Sequence, residues 1–247
     1  MSEQEHNENI NSPIEDIQEQ EVLTKKEKRK KVKTKKKKSD KKKKKGIQIG
    51  IGSIMLMLFC SFLLVVATFL QVKVSHFIIP SKFFNGDICT AKDFIFSIKY
   101  IPQIPIVMFI VGLLGRRLGV VSILLYIIAG LFFVPVFALG GGWRYIFEYG
   151  FGYILAYIPA AIILGTILKK NYSYINVLKA VLISVLTIHL IGICYMTILA
   201  YFKHAGINFV TSWIAAQSGI KIIYDLVFSY LLVLVTKYAR IILWFYL

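Results

Sequence analysis

The sequence predicts an all-α integral membrane protein with six transmembrane helices and both termini cytoplasmic. Three observations carry that prediction. Side chains are 57% hydrophobic and the mean hydropathy is +0.66, too apolar for a soluble domain of 247 residues. Apolar runs of about eighteen residues or more recur through the second part of the chain, and such runs read as membrane spans. Charge is segregated: residues 25–45 hold sixteen Lys or Arg, and all later residues together hold fourteen.

Residues 1–45 come first. Their opening stretch is acidic, with Glu3, Glu5, Glu8, Glu15, Asp16, Glu19 and Glu21, and the lysine run follows. With almost no apolar content the segment cannot bury a core, so a disordered cytoplasmic tail is expected. Because Lys45 abuts an apolar run, a lysine anchor against anionic lipid and a simple topology determinant are the two readings. No nucleic-acid partner is expected. Residues 46–247 then form a six-helix, substrate-binding membrane domain.

The first span, 46–72, is too long for the apolar region of a signal peptide, and no small-x-small cleavage site follows it. The other spans fall at 100–115, 117–137, 146–168, 174–202 and 213–243. Pro102 and Pro105 open the second, where a first helical turn tolerates proline. Arg116 and Arg117, then Lys169, Lys170 and Lys179, then Lys237 and Arg240, all fall on the side of the lysine tail. The positive-inside rule makes that side cytoplasmic and the location a cell inner (plasma) membrane crossed several times. Loops 75–98, 138–146 and 203–212 then face outward. Lys82, Lys92 and Lys99 on the outer side oppose the bias, and Asp87 and Asp93 lie in the first loop with Lys82 and Lys92.

Polar residues within this apolar chain mark candidate sites. In VPVFALGGGWRYIFEYGFGYILAYIPAA, Val134 to Ala161, three glycines form an outer turn, and Tyr145, Tyr149, Tyr153 and Tyr157 follow at steps of four. That spacing predicts one helix face carrying hydroxyls. Gly150 and Gly152 leave room for a ligand or another helix. An interfacial aromatic belt accounts for the outer tyrosines but poorly for Tyr157, three turns deep. Tyr149 and Tyr153 are therefore candidate pocket-lining residues.

On the last span Lys221 and Asp225 are four apart and share a face. Ionisable residues within a span usually face a cavity and pair with one another or with substrate. A bland alternative has Lys221 snorkelling to the interface and neutralising Asp225. His189 lies mid-span, where a hydrogen bond to a neighbouring helix is a commoner role than a ligand contact. Cys60, Cys89 and Cys194 are scattered, without metal-ligand spacing or a disulfide framework. No cofactor or metal is expected.

Tyr100 to Gly142 reads YIPQIPIVMFIVGLLGRRLGVVSILLYIIAGLFFVPVFALGGG. Its proline-rich start, the LGRRLG turn at Leu114–Gly119, Tyr126, Gly130 and the PVFALGGG run resemble the core of the BioY family. These are biotin-binding substrate-capture (S) components of energy-coupling factor (ECF) transporters. The resemblance implies six helices, biotin or a related vitamin bound near the outer side, a transmembrane coupling subunit and two ATPase partners. Two motifs depart from the family. GPTGGY is replaced by Glu148, Tyr149, Gly150, Phe151, Gly152 and Tyr153, and the aspartate-to-lysine step of three becomes Asp225 and Phe228. On chemistry plus resemblance, Asp225 can accept ureido N–H bonds while Lys221 or Arg144 meets a carbonyl or carboxylate. Substrate-binding candidates are thus Asp225, Lys221, Tyr149, Tyr153, Gly152 and Arg144.

No Gly-x-x-x-x-Gly-Lys-Ser/Thr loop is present, so this chain does not hydrolyse ATP by that route. Gly46, Gly50, Gly52 and Ser53 offer close packing to a coupling subunit or within the chain. Two other classes stay open: a solitary proton-coupled transporter acting through Asp225, and an intramembrane enzyme. The first lacks an obvious inverted repeat, and the second lacks HExxH and paired carboxylates within the spans.

Overall fold

The computed structural model describes residues 50–246 except 87 and 89, without the side chains of 81 and 243–246. The expected tail, with Asp87 and Cys89, lies outside the described residues.

Among the described residues, seven α-helices and one hairpin follow in order: α1 (Ile51–Phe69), β1 (Val72–Phe77), the single turn α2 (Ser81–Phe84), β2 (Ile95–Tyr100), α3 (Gln103–Ile128), α4 (Phe151–Lys170), α5 (Tyr174–Phe202), α6 (Ile207–Ser218) and α7 (Lys221–Tyr246). By length and apolarity, five helical segments among the described residues suffice to cross a membrane, with Gln103–Phe133 counted as one and Ile207–Ile242 as another.

The first of those is two passes. At Gly115 the backbone turns to φ 76°, ψ 176°, a region essentially reserved for glycine. A Cβ on Gly119 would lie 3.0 Å from the Val111 Cα, and Gln103 Nε2 lies 3.0 Å from the Tyr126 hydroxyl. Residues 23 apart on a straight helix are separated by about 34 Å, so α3 folds back on itself within the Leu114–Gly119 stretch. Six long helical passes result among the described residues: α1, the two arms of α3, α4, α5 and α7. The first arm, residues 103–114, is only about 18 Å long.

The predicted outer loop 75–98 instead carries an antiparallel hairpin, with Val72 opposite Tyr100 and Phe77 opposite Ile95. Lys73 and Ser75 alternate with Val72 and Val74, the strand period. The structure is therefore mostly rather than wholly helical. Loop 203–212 is also partly helix, because α6 begins at Ile207. The last span correspondingly starts at Lys221, beyond a break at Gly219.

Tight helix approaches set the core. A Cβ on Gly152 would overlap the Tyr195 side chain, and one on Gly192 would lie 2.6 Å from the Tyr153 ring. This reciprocal glycine–tyrosine seam joins α4 to α5, as small residues do where lipid supplies no hydrophobic drive. The segment 134–142 folds compactly over the end of α3. Phe137 packs on Gly130, and the Gly142 N–H donates to the Gly130 carbonyl at 2.8 Å. Gly140 and Gly142 have φ of 116° and 89°, which explains the glycine-rich run at this corner.

Two ends of the bundle follow. Arg116 lies against Gly165, and Arg240 Nε donates to the Leu113 carbonyl at 3.1 Å. The α3 corner, the end of α4 and the end of α7 therefore share one end, rich in Arg and Lys. The hairpin, the 134–150 segment and the α5–α7 corner share the other.

Candidate functional site

At the loop end a buried carboxylate anchors a chain of polar groups. Asp225, one turn into α7, has no exposed surface. Its Oδ1 accepts the Tyr100 hydroxyl proton at 2.7 Å, and its Oδ2 lies 3.2 Å from His189 Nε2 on α5. His189 Nδ1 lies 2.9 Å from the Ser218 hydroxyl at the end of α6, which also meets the Tyr153 hydroxyl at 2.7 Å. In the tautomer with Nε2–H donating to Asp225, Ser218 donates to Nδ1 and accepts from the Tyr153 hydroxyl. Four elements and the hairpin end are tied together by these bonds. Burial, then the Asp225 charge, pushes the Tyr100 phenol above its ordinary pKa, so Tyr100 stays a donor at neutral pH.

A second network lies beside the first. The Gln103 amide donates to Thr68 Oγ1 at 2.6 Å and to the Tyr126 hydroxyl at 3.0 Å. Its carbonyl oxygen accepts from the Tyr157 hydroxyl at 3.1 Å, and Thr68 meets Tyr126 at 3.0 Å. Amide, hydroxyl, imidazole and carboxylate groups of α1, α3, α4, α5 and α7 thus meet in this part of the bundle. Neutral polar groups in a membrane commonly bond between helices, whereas an ionisable group such as Asp225 is rare there and often marks a substrate pathway.

The predicted residues separate. Asp225 and Tyr153 belong to one hydrogen-bonded cluster. Lys221, at the first turn of α7, donates to the Gln217 side chain at 3.2 Å. Asp225 lies against His189 and, among the described residues, forms no direct ion pair with Lys221, whose ammonium is bonded to Gln217 instead. Tyr149 precedes the helix and packs on Phe209 and Trp213, with Lys203 Nζ 4.6 Å over its ring. Tyr145 is in the short helical turn Trp143–Phe147, so the expected four-tyrosine face reduces to Tyr153 and Tyr157 on α4. The room left by Gly152 is taken by Tyr195 of α5 rather than left open. Arg144 is exposed, over the Trp143 ring at 5.8 Å.

Sequence reading missed Tyr100, Gln103, Thr68, Tyr126 and Ser218. Tyr100, Gln103 and Thr68 are polar residues at the end of an apolar run, where tyrosine and threonine are ordinary interfacial residues, and Tyr126 stood out only through the family resemblance. Gln103, directly after Pro102, was the legible signal. His189 takes the helix-bridging role expected of it.

The first network also has Ser–His–Asp connectivity, which an intramembrane hydrolase would need. Yet Ser218 Oγ is already held by Tyr153. Among the described residues no group of three His, Cys, Asp or Glu gathers as for a metal ion.

Comparison with known proteins decides the lineage. The BioY family profile matches residues 35–243. The chain belongs to the BioY family. A relative from Lysinibacillus sphaericus, described as "Probable biotin transporter BioY", is 36% identical over 78 residues, or 29% of this chain. The matched stretch spans 40% of that relative's length. A solved S-component for biotin from an ECF-type ABC transporter superposes with TM-score 0.56 and 19% identity, covering 77% of this chain and 91% of the other. That likeness is one of fold. Both descriptions are of transport proteins, and this BioY-family chain is an integral membrane protein.

Proposed function

We propose that this BioY-family chain is the substrate-capture component of an ECF-type vitamin importer, and that it binds biotin at the loop end of the bundle. The observation that carries the reading is Asp225. A carboxylate has about four lone-pair sites. Tyr100 and His189 use two, leaving one on each oxygen for a pair of N–H donors such as those of a ureido ring. Lys221, about 6 Å along the helix axis from Asp225, suits the carbonyl or carboxylate of the same ligand. Tyr153 and Gly152 support that wall through the α4–α5 seam, while Tyr149 and Arg144 belong to the outer rim. Since Asp225 is wholly buried, a ligand reaches it only after a neighbouring segment moves.

In this reading the loop end faces outward, and both termini and the basic end are cytoplasmic in a cell inner membrane, as the positive-inside rule requires. Residues 1–45 serve as a lipid-facing tail, separate from the 46–247 binding domain. Energy comes from a transmembrane coupling subunit and two ATPase subunits. The proton-coupled alternative takes its support from the His189–Asp225 pair. Uptake that persists without ATPases and collapses with an uncoupler would select it.

Calorimetry on purified full-length protein tests the main reading. Biotin should bind one to one without ATP. Absence of biotin binding, with saturable binding of another vitamin, overturns the substrate and leaves vitamin capture standing.

A further inference from the structure

The basic end holds a cavity that the capture reading does not use. Its volume is about 400 Å³, and Arg116, Arg117, Lys169 and Arg240 surround it over an apolar floor of Val111 and Leu168. Local structure forces these cations together. The turn at Gly115 presents Arg116 and Arg117 in succession. Gly165 lets Arg116 close on α4, where its Nη1 donates to Thr166 Oγ1 at 3.2 Å. Lys169 comes from the last turn of α4. Arg240 is fixed by the Leu113 carbonyl and by the Tyr172 ring, 5.6 Å from its guanidinium carbon.

None of the four has a carboxylate partner among the described residues. Asp93 pairs with Lys82 in the hairpin loop, Asp225 belongs to the loop-end cluster, and Glu148 lies in the segment before α4. Four like charges around one small cavity repel unless an anion sits among them. The Arg240 and Arg117 guanidinium groups retain N–H donors without protein acceptors among the described residues, and such forks match phosphate oxygens.

We infer that this cavity is a binding site for the phosphodiester headgroup of an anionic phospholipid. The depth is right, because the cavity lies where four membrane-crossing segments end. A lipid rather than a free anion suits the surroundings. The floor is apolar, and the same two helices expose Ile162 and Ile241 where acyl chains would run. This site is distinct from the diffuse attraction of the lysine tail, since it is stoichiometric and built from folded residues.

Native mass spectrometry of the full-length protein in detergent, with phosphatidylglycerol or phosphatidylcholine added, tests it. One phosphatidylglycerol should be retained per chain, in preference to phosphatidylcholine. The variant Arg117→Gln with Lys169→Gln and Arg240→Gln should lower that retained fraction at least tenfold. Should loss of the Arg240 contacts unfold the protein, the Arg117→Gln and Lys169→Gln double variant removes only exposed side chains and should still lower it severalfold. Replacing Lys41, Lys42, Lys43, Lys44 and Lys45 by Gln should leave the single retained lipid in place. Equal retention by the folded cavity variants overturns the site, as does loss in the tail variant alone. Saturable binding of inorganic phosphate without lipid retention assigns the cavity to a free anion and overturns the lipid. Unchanged lipid retention together with lost co-purification of a protein subunit assigns it to a protein contact.

Discussion

Asp225 keeps two lone pairs unused in a site with no water-facing surface, and that makes its substitution informative. Asp225→Asn preserves size and one acceptor oxygen but removes the charge. If the carboxylate holds ligand N–H groups, biotin affinity should fall about ten- to a hundredfold, equivalent to about 1.5–3 kcal/mol; calorimetry reads it. Lys221→Met should not restore what Asp225→Asn loses in the stability of the empty protein, because Lys221 bonds to Gln217 and not to Asp225. A double variant that regains wild-type melting would show that the two charges are coupled.

Tyr100 gives a pH signature. Its pKa is raised in the fold by burial and then by Asp225. A raised folded value means that its contribution is intact below the unfolded value, about 10. As pH rises past that value the unfolded chain releases a proton that the folded chain keeps, so stability falls. Thermal melts from pH 7 to 11 should show a decline above pH 10 that is shallower in Tyr100→Phe, with slopes differing by at most about 1.4 kcal/mol per pH unit. Identical slopes would place Tyr100 outside the buried cluster.

Among the elements, α3 rests most on a single residue. Gly115→Ala puts a Cβ on a backbone at φ 76°, ψ 176° and should cost about 1–3 kcal/mol. Gly206→Ala is the comparison, since its φ is −66° and nothing lies within 4 Å of an added Cβ; it should lose only the poorer N-cap, about 0.5–1 kcal/mol. Equal melting temperatures for the two variants would argue against the fold-back. The α4–α5 seam behaves differently. Gly192→Ala pushes on the Tyr153 ring, so it should cost about 1–3 kcal/mol by overpacking and also weaken biotin binding through Ser218 and His189.

For the molecule as a whole, the division into tail and bundle has its own test. Deleting residues 2–40 should leave ligand affinity unchanged, because the segment lacks the apolar side chains needed to join a core. Loss of affinity in correctly inserted protein would make the tail part of the fold. Reporter fusions at the two ends should both report a cytoplasmic location, and a split result would break the six-span topology.

The sequence by itself determined the class and most span positions. Lipid imposes long apolar runs, and those are visible residue by residue. It also marked the corner at Leu114–Gly119 and the glycine turn at 140–142, since only glycine fits their backbone. The hairpin was written in the alternation of Val72, Lys73, Val74 and Ser75, but one short strand means little until its partner at Ile95–Tyr100 is found. Tertiary structure alone decided which polar side chains meet. Asp225 lies 36 residues from His189 and 125 from Tyr100, and no local periodicity encodes such distances. The same limit hid the filling of the Gly152 gap by Tyr195 and the gathering of Arg116, Arg117, Lys169 and Arg240 around one cavity. Hydrophobic pattern fixes which segments enter the membrane, whereas side-chain shape and hydrogen bonding between helices fix the faces they turn to one another.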